Sequence, residues 1–142
     1  MSNPQATVID IGEALTTKIQ TVTGASAAVF DLVPDFGLAQ VRDLKIIITP
    51  QAYARGNKGA ASRETPDTTC KINIAIMKKC GSKADIPELL ELTENIAKAI
   101  ERQIIGNGLV LFCEFDPIYA MDIFQQMKIF MSVCTANIKV IR

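Results

Sequence analysis

Residues 67–105 read Asp67-Thr-Thr-Cys-Lys-Ile-Asn-Ile-Ala-Ile-Met-Lys-Lys-Cys80, Gly81-Ser-Lys-Ala-Asp85, then Ile86-Pro-Glu-Leu-Leu-Glu-Leu-Thr-Glu-Asn-Ile-Ala-Lys-Ala-Ile100-Glu-Arg-Gln-Ile-Ile105. Two hydrophobic periods meet in this stretch. In its first part Ile72, Ile74 and Ile76 point one way, while Lys71, Asn73 and Met77 point the other, the period of a half-buried strand. After Gly81-Ser82 the period lengthens. Ile86, Leu89, Leu90, Leu92 (or Thr93), Ile96, Ile100 and Ile104 recur every three to four residues, which draws an apolar stripe along a helix. Asp85 suits the N-cap and Pro87 the first turn. Glu88, Glu91 and Glu94 precede Lys98 and Arg102, an order that complements the helix dipole.

Working outward, Val8 to Val22 forms a first amphipathic helix through Val8, Ile11, Leu15, Ile19 and Val22, capped by Thr7 or Asp10. Its threonines lower helix propensity, so packing has to hold it. Ala28-Val-Phe-Asp-Leu-Val-Pro34 reads as a strand with Phe30 and Leu32 inward, and Pro34-Asp-Phe-Gly37 as a turn. Val41 to Pro50 is the next strand, with Leu44, Ile46 and Ile48 on one face and Pro50 stopping it. Beyond the central pair, Gly106-Asn-Gly108 is expected to cap the helix C-terminus. Leu109 to Phe115 is a strand, Asp116-Pro117 a break, and Tyr119 to Gln126 a short helical or irregular crossing. Met127 to Arg142 is a long strand with Phe130, Cys134, Ala136, Ile138 and Val140 on one face and Ser132 as the polar exception. The expected fold is a single two-layer α+β domain over residues 1–142. It has a mostly antiparallel sheet of four to five strands and two helices packed on one face.

The totals exclude several functions. The chain has 142 residues, 49% of them hydrophobic, with fifteen basic and fifteen acidic side chains. A balanced charge argues against a dedicated nucleic-acid or membrane-surface module. No apolar run is long enough to span a membrane, and the polar start Met1-Ser-Asn-Pro-Gln suits a cytosolic protein. There is no histidine, hence no Ser-His or Cys-His nucleophile pair and no histidine metal cluster. Cys70, Cys80, Cys113 and Cys134 form no CxxC pair and are read as reduced thiols. An extended strand holds the first two roughly 30 Å apart, beyond disulfide reach. Gly56-Asn-Lys-Gly59 is too short for a phosphate-binding loop. Asp31, Asp35, Asp43 and Asp116 read as turn or surface carboxylates. No catalytic, metal or cofactor residue is assigned.

Residues 51–66 differ in kind. Apolar periodicity vanishes, Gly, Ser and Asn accumulate, and Arg55, Lys58 and Arg63 face only Glu64. A loop of that length between strands is often functional, so Tyr53, Arg55, Lys58 and Arg63 are the candidate interaction residues. Several strands also carry apolar groups on both parities, Ile47 beside Ile46 and Ile48, and Met131 and Val133 beside Phe130 and Cys134. A second apolar face points to contact with copies of the same chain.

The order of elements, with Asp43-Leu-Lys-Ile-Ile-Ile-Thr-Pro50, Ser62-Arg63, Cys70-Lys-Ile-Asn-Ile-Ala-Ile-Met-Lys-Lys79, the helix from Pro87 to Ile100 and the strand Phe130 to Arg142, resembles phage neck proteins of the tail terminator (tail completion) type. The resemblance spans nearly the whole chain. It implies a small non-enzymatic α+β subunit of a hexameric ring in the virion, assembled in the host cytoplasm. Such a ring would cap the tail tube protein, stop its polymerisation and meet the head connector or head-completion protein, with genomic DNA passing through the lumen unheld. It implies no cofactor and no membrane, and makes residues 51–66 the interaction loop. Two alternatives stand beside it. One is another head-tail adaptor or head-completion protein. The other is a small ligand-binding or enzymatic domain using the 51–66 loop as a lid.

Overall fold

The structure, a computed structural model, describes residues 7–33, 42–55, 68–115 and 117–140. In chain order it runs α1 (Thr7–Gln20), β1 (Ala28–Phe30), β2 (Lys45–Arg55), β3 (Thr68–Lys79), a 3-10 turn (Lys83–Asp85), α2 (Ile86–Ile100), β4 (Ile104–Ile105), β5 (Gly108–Phe115), α3 (Met121–Met127) and β6 (Ile129–Val140). The strands form one sheet in the order β1-β2-β3-β6-β5-β4. β1 and β2 are parallel, and the other neighbours antiparallel.

The isoleucine row of β3 lies at the centre. Ile74 pairs with Ile48 on one side and Cys134 on the other, and Ile76 with Ile46 and Ser132. All three isoleucines are fully buried against Ile11, Leu15 and Ile19 of α1 and Leu89, Ile96 and Ile100 of α2. Each buried side chain of this size stabilises the fold by roughly 1.5–3 kcal/mol relative to exposure. The alternation in sequence and the burial in structure agree along β3 as far as Ile76; Lys78, of the same parity, is exposed, and the first departure is Met77. That residue faces the other side as expected but is buried there, under α3.

The mixed α+β architecture differs from the expected one in four places. The sheet has six strands, since Ile104–Ile105 pairs with Gly108–Leu109 as a short hairpin. Gly106, at a φ of 58°, makes that turn rather than capping α2. The helix already ends at Ile100, because Glu101 is extended and Arg102 is left-handed. Arg102 donates its N–H to the Val110 carbonyl at 2.6 Å, so Ile104 leaves the helical stripe and lies on the sheet edge. Pro50 does not stop β2, which continues to Arg55 through a register shift between Pro50 and Ala52. Among the described residues only Ile46 to Ile48 pair with β1, so on that side no described strand pairs with Pro50.

Two smaller expectations also change. Asp85 makes no N-cap bond to α2. Its carboxylate instead accepts from the backbone N–H of Gly81 and Ser82, closing a capping box on the 3-10 turn whose cap is Ser82. Leu32 is exposed rather than inward, because β1 ends at Phe30. Thr93, not Leu92, takes the buried stripe position, its hydroxyl donating to the Leu89 carbonyl at 2.7 Å. The Pro34–Gly37 turn and Asp116 lie outside the described residues.

Two substitutions check this packing. Ile74→Asp places an unpaired charge in the middle of the core and should unfold the domain, read by circular dichroism. A folded Ile74→Asp protein would overturn the strand parity. At Gly12 an added Cβ would lie 2.2 Å from the Phe30 ring. Gly12→Ala should therefore cost about 1–3 kcal/mol in urea denaturation.

Candidate functional site

Of the four candidate interaction residues, two lie on one strand. Tyr53 and Arg55 belong to β2, paired with Cys70 and Thr68, while Lys58 and Arg63 lie outside the described residues. The segment expected to be loop from residue 51 is thus strand as far as Arg55. Alternation is weak there because both faces are open: residues 51–54 are all exposed, Tyr53 at 44%.

The second sheet face, away from α1 and α2, is only partly apolar. At one end α3 lays Ile123 and Met127 over Ile47, Met77 and Ile129, which are buried by this contact. Further along the face comes a polar band, where Thr135 donates to Asn73 Oδ1 at 3.0 Å and is paired with Glu114. Beyond it Phe112 lies opposite Asn137, exposed. The apolar groups assigned to contact between copies are therefore largely covered by the chain's own third helix. A cavity of about 200 Å³ remains beside α3, lined by Pro117, Ala120, Ile123, Met131 and Val133.

Beside Phe112 on the face and Ile118 and Met121 around α3, exposed apolar side chains lie at the two sheet edges. At the β1 edge Val29 and Leu32 are exposed and Val33 is 76% exposed. At the opposite edge Ile104 is 70% exposed and Leu111, the bulged residue of β5, is exposed as well. Because β4 spans two residues, no strand pairs with the outer side of β5 beyond Val110 among the described residues. Unpaired strand edges with apolar side chains are templates for association. The two edges are different surfaces, so pairing one with the other repeats head to tail.

The chain resembles one structure of stated role. It is the sheath/tube terminator of an extracellular contractile injection system, PVC, in its extended state, with 14% sequence identity and a TM-score of 0.49. The similarity covers 99% of this chain and 59% of that one, so this chain spans about three-fifths of its length. No family model and no curated protein matches.

Other polar features were not visible in the sequence. A groove of about 420 Å³ runs between the loop after α1 and the exposed side of α2, with Lys78, Glu88, Glu91 and Asn95 among its walls. Among the described residues no three of His, Cys, Asp and Glu gather as a metal set. Asp31 serves a turn, its Oδ1 accepting from the Val33 N–H at 3.2 Å. Burial pushes the Cys70 thiol up to about 11 and raises Cys80 as well. Cys134 is raised by its hydrogen bond with Cys113 and then by burial. Ser132, fully buried on the core face, has no hydrogen-bond partner for its hydroxyl.

Two measurements follow from these buried groups. Ser132→Ala removes an unsatisfied hydroxyl and should raise stability by roughly 1 kcal/mol in a thermal melt. The folded state keeps three thiols protonated at pH values where the unfolded chain ionises them. Stability is therefore full below about pH 8.5, where free thiols begin to titrate, and falls as pH rises toward about 11. Denaturation midpoints that rise across that window would contradict the burial of these cysteines.

Proposed function

We propose that this chain is a structural subunit, a tail terminator that closes into a ring on the tail tube. That ring, hexameric by the resemblance read in the sequence, would stop tube polymerisation and meet the head connector. The observation that carries the reading is the pair of dissimilar apolar sheet edges, Val29, Leu32 and Val33 on one and Ile104 and Leu111 on the other. A heterologous contact between them generates a ring when the rotation closes and a filament when it does not. In this reading the chain performs no catalysis. Tyr53 and the 51–66 segment serve contact with the tube or a neighbouring copy, and genomic DNA passes without specific binding.

Light scattering during size-exclusion chromatography tests the assembly directly. The unmodified chain should form a closed oligomer, and Val33→Lys or Ile104→Lys should each give a folded monomer. Both positions are exposed, so the fold should tolerate the charge. Mixed together, the two variants keep one intact edge each and should stop at a heterodimer. Oligomers untouched by both substitutions would move the contact away from the edges, and a monomeric parent would remove the ring.

The terminator role needs a second measurement, electron microscopy of particles assembled without this chain. Tails of uncontrolled length beside unattached heads are expected. Tails of normal length beside filled, unjoined heads would make it a head-side adaptor instead.

A further inference from the structure

β5 and β6 bring together two cysteines that stand 21 positions apart in the chain. Cys113 lies opposite Ala136, and Cys134 opposite Phe115, all on the helix-facing side of the sheet. The register makes the two residues diagonal neighbours on adjacent antiparallel strands. They differ in access: Cys134 is fully buried, whereas Cys113 is the one cysteine of the four that is not. We propose that Cys113 and Cys134 are an oxidation site that closes to an intramolecular disulfide when the protein meets a hydroperoxide, fastening β5 to β6.

The chemistry follows from that asymmetry. With hydrogen peroxide, the Cys113 sulfur, as thiolate, attacks one oxygen, and an S–O bond forms as the O–O bond breaks. The departing hydroxide takes up a proton as the first water, and Cys113 becomes a sulfenic acid. The Cys134 sulfur then attacks the Cys113 sulfur. An S–S bond forms, the S–O bond breaks, and the departing hydroxide leaves as water with the Cys134 proton. In sum, two thiols lose two electrons and the peroxide is reduced to two waters. Cys70 and Cys80 are buried on or at the end of β3. β3 is not a neighbour of β5 in the sheet, so neither is placed beside Cys113.

Diagonal residues on antiparallel strands lie roughly 7–8 Å apart at Cα, at the outer limit of disulfide geometry. Closure therefore needs a shift of about 1 Å. β5 is the strand that can supply it. It carries a register shift between Val110 and Phe112 and, among the described residues, has no outer partner strand beyond Val110. A bond formed under such strain is readily reduced again, so the site is reversible.

The test uses the full-length protein treated with hydrogen peroxide, followed by alkylation of remaining thiols in denaturant and non-reducing peptide mapping. Two of the four thiols should disappear, a 113–134 cross-linked peptide should appear, and dithiothreitol should restore both. Cys113→Ser, at a half-buried position, should fold and lose no pair of thiols. Cys134→Ala should leave a Cys113 sulfenic acid that dimedone traps. Dimedone-labelled or sulfinic Cys113 in the unmodified protein without the cross-link would overturn the proposal. Cross-links between chains, or links through Cys70 or Cys80, would do the same.

Discussion

The burial of Ile72, Ile74 and Ile76 on one face of β3 is the constraint to which the other elements conform. A strand whose apolar face is this uniform has a single usable register, because a slip by one residue would turn the whole row toward the opposite face. β2 and β6 pair with it along most of its length, and they place Ile46, Ile48, Cys134, Ala136 and Ile138 in the same layer. The two long helices then have one surface to cover. Gly12 lets α1 approach closely enough for the Phe30 ring to fill the space a side chain would take.

The other face of the sheet is handled differently along its length, and this bears on assembly. α3, seven residues long, covers Ile47, Met77 and Ile129. It is held by Lys128 in a left-handed conformation at its C-cap, by the Cys80 N–H donating to the Lys128 carbonyl, and by Tyr119 stacked on Phe130. The rest of that face is polar enough to meet water. Apolar surface is left at the edges, where a backbone seeks partners as well as side chains. The two edges are dissimilar surfaces, so a contact of one with the other would repeat head to tail.

The cysteines show the same division between local pattern and assembled structure. Spacing correctly keeps Cys70 and Cys80 apart at opposite ends of β3. It says nothing of Cys113 and Cys134, whose contact depends on which strands are neighbours and in what register. Tyr53 is a parallel case. Its place on a strand beyond Pro50 depends on the absence of a partner strand at that point of the edge, which tolerates a proline that a central strand would reject.

From its sequence alone this chain determined α1, β3, α2, β5 and β6, the inward faces of all of these but β5, and the α+β layering. Those features follow from the spacing of apolar side chains, which acts locally. Tertiary structure decided the parallel pairing of β1, the run of β2 through Pro50, the early end of α2 at Glu101 and Arg102, and the hairpin of β4. It also decided that α3 covers one end of the second face and that several exposed apolar groups lie at the edges. Each of these depends on what lies across the sheet from a residue. Strand order and register are set by the whole core at once, and no single stretch of the chain encodes them.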